Sequence, residues 1–163
     1  MSVDRSYIAR NDTERTRLRA LVARLSDTDL ARPMPAGWTV AGVLAHLAFW
    51  DQRALALLER DLPSKSAAAP GLRDEDVDWI NDAAKPLCLA LAPRRAADLA
   101  VAIAEEVDRK VAALSEDFIT RNAAAGGPVN LDRAEHRREH LQEIDQHLGS
   151  QSGDGWPLTA RRR

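Results

Sequence analysis

Residues 39–58, TVAGVLAHLAFWDQRALALL, decide the fold. Val40, Val43, Leu44, Leu47, Trp50, Leu57 and Leu58 recur at helical spacing, and Thr39 stands where a first turn needs a capping side chain. The stretch therefore reads as a long helix with one buried side. His46 comes three residues after Val43 and four before Trp50, which puts it on that side. A buried imidazole needs a partner for its nitrogens, whether a carbonyl, a carboxylate or a metal ion.

Three more stripes of the same kind lie outward from this one. Upstream, Asp4 to Leu25 sets Ile8, Leu18, Leu21, Val22 and Leu25 against Arg15, Arg17, Arg19 and Arg24. Downstream, Pro93 opens a helix from Arg94 to about Leu114, with Ala97, Ala100, Ile103 or Ala104, Val107, Val111 and Leu114 inward. The last helix, from Leu131 to about Leu148 with Asn130 as its cap, has only Ala134, Leu141, Ile144 and Leu148 as apolar residues. Between them, Ser26 to Gly37 is dense in breakers and reads as a connection. Asp61 to Arg73 reads as a surface loop, and Ser115 to Asn130 as a flexible return. A shorter helix is predicted near residues 74–90, with Pro86 kinking or ending it. Val-Ile-Thr-Tyr alternation is missing, so no segment calls for a strand. The prediction is an all-α, up-and-down four-helix bundle over residues 1–150 with one extra short helix, followed by a flexible tail over 151–163.

Composition narrows the function. With 163 residues and 45% apolar content the chain can bury one core. A net charge of -2, from 23 basic and 25 acidic residues spread along the chain, gives no concentrated basic face for nucleic acid. No apolar run approaches the ~20 residues of a membrane span, and no leader is visible, so the expected location is the cytoplasm. The single cysteine, Cys88, excludes an intramolecular disulfide; within the apolar run Leu87 to Leu91 it reads as a buried, inert thiol.

The chemistry concentrates in Glu135-His136-Arg137-Arg138-Glu139-His140. Two imidazoles four apart on a helix project the same way, roughly 6 Å apart, and can share one metal ion. His147 lies seven residues beyond His140, ~10.5 Å of helix, too far to join the same ion. The third ligand is then His46. Arg137, Arg138 and Glu139 read as a solvated face. Three neutral imidazoles leave coordination positions open on a zinc, nickel or ferrous ion, the arrangement of a catalytic centre at which a thiol or water can bind. Glu139, Glu143 and Asp51 are candidates to orient the rings, and Trp38, Trp50 and Trp79, with Tyr7 as a further candidate, to wall an apolar pocket.

In order and spacing, Gly37-Trp38-Thr39-Val40, Leu44-Ala45-His46-Leu47, Trp50, Trp79 with Asn81, and His136-x-x-x-His140 together resemble the DinB-like, or YfiT-like, family of metal-dependent four-helix bundles. The resemblance implies a three-histidine site for a divalent cation at His46, His136 and His140. Relatives include thiol S-transferases that use bacillithiol or mycothiol, a mycothiol-dependent maleylpyruvate isomerase, and proteins that disarm reactive genotoxins. One departure is Gly42, where the family often carries an acidic residue that completes the capping box. The expectation is a transferase or hydrolase that uses zinc or nickel to activate a low-molecular-weight thiol, or water, against a small electrophile. The alternative is a bundle that binds or sequesters a small molecule without turnover. A homodimer is open to it.

Overall fold

The computed structural model describes residues 3–60 and 72–151. The expected surface loop therefore lies almost wholly outside the described residues, as does the tail from residue 152. Helix α1 spans Tyr7–Arg24, α2 Asp27–Ala31, α3 Val40–Glu59, α4 Asp74–Ala90, α5 Pro93–Ala112, α6 Glu116–Ala124 and α7 Ala134–Gln151. Together they form an all-α bundle in which α3 packs on α5 and α4, while α1 packs on α5 and α7. Among the described residues no helix is long and apolar enough to cross a membrane.

Helix α3 is the axis. Thr39 Oγ1 accepts the Gly42 N–H at 3.0 Å, as the capping role requires, and every residue from Val40 to Ala48 is buried. The first half of α3 thus has no solvated side, unlike the one-sided stripe read from its sequence. One core cluster joins Leu18 and Leu21 of α1, Leu44 and Leu47 of α3, Ala97 and Ala100 of α5, and Leu141 and Ile144 of α7. A second gathers Tyr7, Leu55, Val107, Val111, Phe118, Ile119 and Val129. Ala96, Ala97, Ala100 and Ala104 are buried together, so small side chains let α5 lie close against its neighbours.

Several local expectations are corrected. Residues 26–37 do contain a helix: Ser26 Oγ accepts from the Asp29 N–H while Asp29 Oδ2 accepts from the Ser26 N–H, both at 3.1 Å, and this box outweighs the nearby breakers. A two-residue antiparallel pairing follows, Pro33 with Thr39 and Met34 with Trp38, around a turn in which Ala36 and Gly37 have φ of 55° and 71°. Pro86 does not end α4, because Ala84 and Cys88, one turn apart on either side of it, are both buried in the core and hold the helix through. The 115–130 return contains α6, capped by Ser115 Oγ accepting from the Phe118 N–H at 3.1 Å. Asn122 then bonds both the N–H and the C=O of Val129, closing the loop. The last helix begins at Ala134 instead of 131: Asn130 accepts from Asp132 N and Asp132 from Ala134 N, two successive turns before the helix starts.

Gly42 has a packing reason. A β-carbon there would stand 2.8 Å from Leu89 Cδ2 on α4 and 3.3 Å from Trp38 Cε3. Gly42→Glu would complete the capping box, yet it should destabilise the protein by about 1–3 kcal/mol, because overpacking against α4 outweighs the cap. Urea unfolding of the two proteins measures the difference.

Candidate metal centre

His46 enters from α3 and His136 and His140 from α7, so two helices distant in sequence supply one cluster. Ring centroids are 5.2 Å apart for His46 and His136, 4.9 Å for His46 and His140, and 4.8 Å for His136 and His140. One nitrogen from each ring lies within 4.8 Å of the others. The Nε2 atoms of His46 and His136 are 3.2 Å apart. Bonds of about 2.0–2.1 Å at a near-tetrahedral angle would separate two imidazole nitrogens by about 3.3–3.4 Å, so this spacing suits a shared ion.

The outer nitrogens differ. His140 Nδ1 meets Glu143 Oε2 at 2.8 Å, a contact that fixes the ring and leaves Nε2 for the cluster. Nδ1 of His46 and of His136 are buried with no hydrogen-bond partner among the described residues. Desolvation, helped by His140, lowers His46 to about 4; desolvation, then His140, Arg133, His46 and Arg137, lowers His136 to about 2. Both rings are therefore neutral at pH 7 and present lone pairs without first losing a proton. Residue types, spacing and protonation all fit a divalent cation.

The cluster forms part of the wall of a cavity of about 1330 Å³. Trp38 stands edge-on to His46 at 5.6 Å, and Trp50 stands 6.4 Å from His46 and 6.5 Å from His136. Trp50 Nε1 donates to Asn81 Oδ1 at 2.9 Å, tying α3 to α4 beside the cavity. Trp79 is not part of this wall: it is 60% exposed, and Asn81 is the neighbour that reaches inward. Tyr7 is buried in the second core cluster, also away from the cavity. His147 lines the cavity but stands apart from the three-nitrogen cluster, and its Nε2 donates to Pro33 O at 2.7 Å, clasping the small β-turn to α7. Cys88 is buried, its pKa pushed up by desolvation, as an inert thiol should be.

What holds the cluster together differs most from the sequence reading. Arg137, expected on a solvated face, is 0% exposed. Its Nη2 donates to Asp51 Oδ2 at 2.9 Å and to Asp108 Oδ1 at 3.0 Å, and its Nη1 to Asp108 Oδ2 at 2.8 Å. Asp51 Oδ1 accepts from Arg133 Nε at 2.8 Å, and Asp108 Oδ2 from Arg15 Nη1 at 3.0 Å. Burial alone would lower the Arg137 pKa, but Asp51 and Asp108 outweigh it and the net shift is upward. Asp51 thus does not orient a histidine; it locks α3 to α7 one turn beyond His46, next to His136. Glu139 is exposed, as is Arg138, which leaves Glu143 as the carboxylate on a ring.

Glu143→Ala should lower affinity for a divalent ion about tenfold, the low end for an outer-shell partner, because its side chain is 58% exposed. His147→Ala should leave that affinity unchanged and cost about 1 kcal/mol of stability through the lost bond to Pro33. Competitive chelator titration and thermal melting separate the two effects.

The model of the family described as the mycothiol maleylpyruvate isomerase N-terminal domain matches residues 12–149. No significant match was found among curated proteins or among solved structures. The matched span carries all three clustered histidines together with Asp51, Asp108, Arg133 and Arg137. On that extent of match, and with a helical bundle as its fold, the chain belongs to the mycothiol maleylpyruvate isomerase N-terminal domain family.

Proposed function

We propose that this protein is a divalent-metal-dependent enzyme that activates a low-molecular-weight thiol, or water, for attack on a small electrophile held in the cavity. The observation that carries the proposal is the convergence of three imidazoles, two of them kept neutral by burial, on the wall of a cavity large enough for a substrate. A zinc or nickel ion held by His46, His136 and His140 would supply Lewis acidity that lowers the pKa of a thiol or water near neutral pH.

The chain's own residues do the rest. Glu143 holds the His140 ring in place, and the Arg137 network fixes the two α7 histidines against His46. Trp38 and Trp50 present apolar ring surface beside the histidines, restricting the water that competes with a thiol. Cys88 is buried and is not among the cavity-lining residues, so the sulfur must arrive on a cosubstrate. The family's description names mycothiol, which makes it the first thiol to try. In the transfer to an alkyl halide, a sulfur–carbon bond forms, the carbon–halogen bond breaks, and the thiol proton passes to solvent as halide leaves.

The test incubates tag-free, metal-loaded protein with mycothiol, bacillithiol or cysteine and a reactive halide, following loss of free thiol. Acceleration that disappears in His140→Ala and survives Cys88→Ser is the expected result. Hydrolysis of the electrophile without thiol consumption would make the enzyme a hydrolase at the same site. A tight ligand with no turnover of any kind would replace both with sequestration.

A further inference from the structure

Helix α4 sits at the edge of the bundle and is apolar where it meets water. It packs chiefly on α3, and Ala84 and Cys88 are its buried contacts with the core. Trp79 is 60% and Leu87 73% exposed, and Ala83 between them is exposed as well. Spaced by four, these three form one line along the helix, with half-buried Ile80 and exposed Pro86 beside it. Asp82 and Lys85 are the only charged residues between Trp79 and Leu91, and both border the cavity, on a different side of the helix. A solvated helix face of this length ordinarily carries charges, so a bare Trp79–Ala83–Leu87 line marks a contact surface.

The spacing selects the occupant. Trp79 and Leu87 stand equally far from Ala83 along the chain, so the line runs large, small, large from either end. Two copies crossing antiparallel at Ala83 would set Trp79 of each on the partner's Leu87, and the small side chains at the axis let the helices approach closely. Charge favours the same direction. The start of α4 carries Glu75, Asp76 and Asp78, of which Arg73 pairs with the first two. Just past the end of α4, α5 begins at Pro93 with no capping side chain, and Arg95 is exposed and in no ion pair among the described residues. Antiparallel pairing brings the acidic start of one α4 beside that N-terminus, where both the amide dipoles and the arginine are positive. Parallel pairing would set acid against acid.

We propose that the protein pairs with a second copy of itself through the Trp79–Ala83–Leu87 face of α4, with the two helices antiparallel and Ala83 on the symmetry axis. One helix face per subunit falls short of the ~800 Å² per partner of a standard interface, so the dimer is a weak one, with a Kd on the order of 10 µM. Asn81 and Lys85 of the same helix border the cavity, so the partner backs that wall from outside.

The test is sedimentation velocity of the full, tag-free chain from about 1 to about 200 µM, either side of that Kd. A reversible monomer–dimer equilibrium is expected. Trp79→Glu and Leu87→Glu, both at exposed positions, should each weaken it at least tenfold while leaving the thermal melt at low protein concentration unchanged. Ala83→Cys tests the register: mild oxidation should join two chains through this residue, whereas the parent, whose single Cys88 is buried, should not cross-link. A monomer at every concentration, whether the face stays bare or another segment of the chain covers it, would overturn the proposal. So would a dimer that both glutamate variants leave intact, or one in which Ala83→Cys fails to cross-link. None of these outcomes bears on the metal centre, and failure of the metal-dependent reading leaves this one standing.

Discussion

Asp51→Ala should cost about 3–5 kcal/mol of folding stability, more than any other single substitution considered for this chain. Asp51 is 2% exposed and takes Arg133 on one oxygen and Arg137 on the other. Removing it leaves two buried guanidiniums without that carboxylate, and Arg133 then has no hydrogen bond from its guanidinium among the described residues. The large effect comes from stranding the arginines, whatever the net worth of the intact network. Asp51→Asn, which keeps shape and an acceptor but not charge, should fall between. Urea unfolding of metal-free protein gives both values, and a loss below about 1 kcal/mol for Asp51→Ala would mean that the arginines find water instead. Since the same carboxylate holds α7 to α3, the alanine variant should also bind metal more weakly. The stability loss is nevertheless expected before any ion is added.

This network marks where the sequence ceased to be legible. The four long helices and the histidine cluster follow from local signals: apolar stripes at period 3.6, a threonine cap, and imidazoles four apart. Arg137 sits between the two histidines in a run of charges with few apolar neighbours, which in isolation describes a solvated face. Its burial is decided by Asp51 and Asp108, 86 and 29 residues away, and long-range pairing of this kind leaves no periodic trace. Helices α2 and α6 are short and leave little periodic trace in the sequence; the serine caps at Ser26 and Ser115 are their local signals. The helix expected over 74–90 runs its full length, and of the two roles open to Pro86 only the ending is excluded, since burial of Ala84 and Cys88 overrides a local helix breaker. At the site, sequence alone could not separate Trp79 from Trp38 and Trp50, because helical spacing does not say which side of α4 faces the cavity.

His136→Ala should lower divalent-metal affinity by at least about 100-fold, beyond the 10–100-fold expected from loss of an outer-shell partner. His136 holds the central place in the cluster, with its Nε2 3.2 Å from that of His46 and its ring 4.8 Å from that of His140. Two nitrogens remain after its removal, one on each helix, and they cannot close a three-ligand set. In metal-free protein the same change should cost only about 1 kcal/mol, because it gives up the Nε2 contact with His46 while also removing an unpaired buried Nδ1. Loss of metal affinity with little loss of metal-free stability is what distinguishes a ligand from a core histidine. A substantial destabilisation of metal-free protein with metal affinity intact would identify His136 as structural.

The most direct measurement is the metal content of protein purified without a histidine tag and without chelating buffers, read by elemental mass spectrometry beside the His46→Ala/His136→Ala/His140→Ala triple variant. One divalent ion per chain in the parent and none in the folded triple variant is the predicted result. A folded parent that takes up no ion when zinc or nickel is supplied, or a triple variant that retains one, would contradict the account.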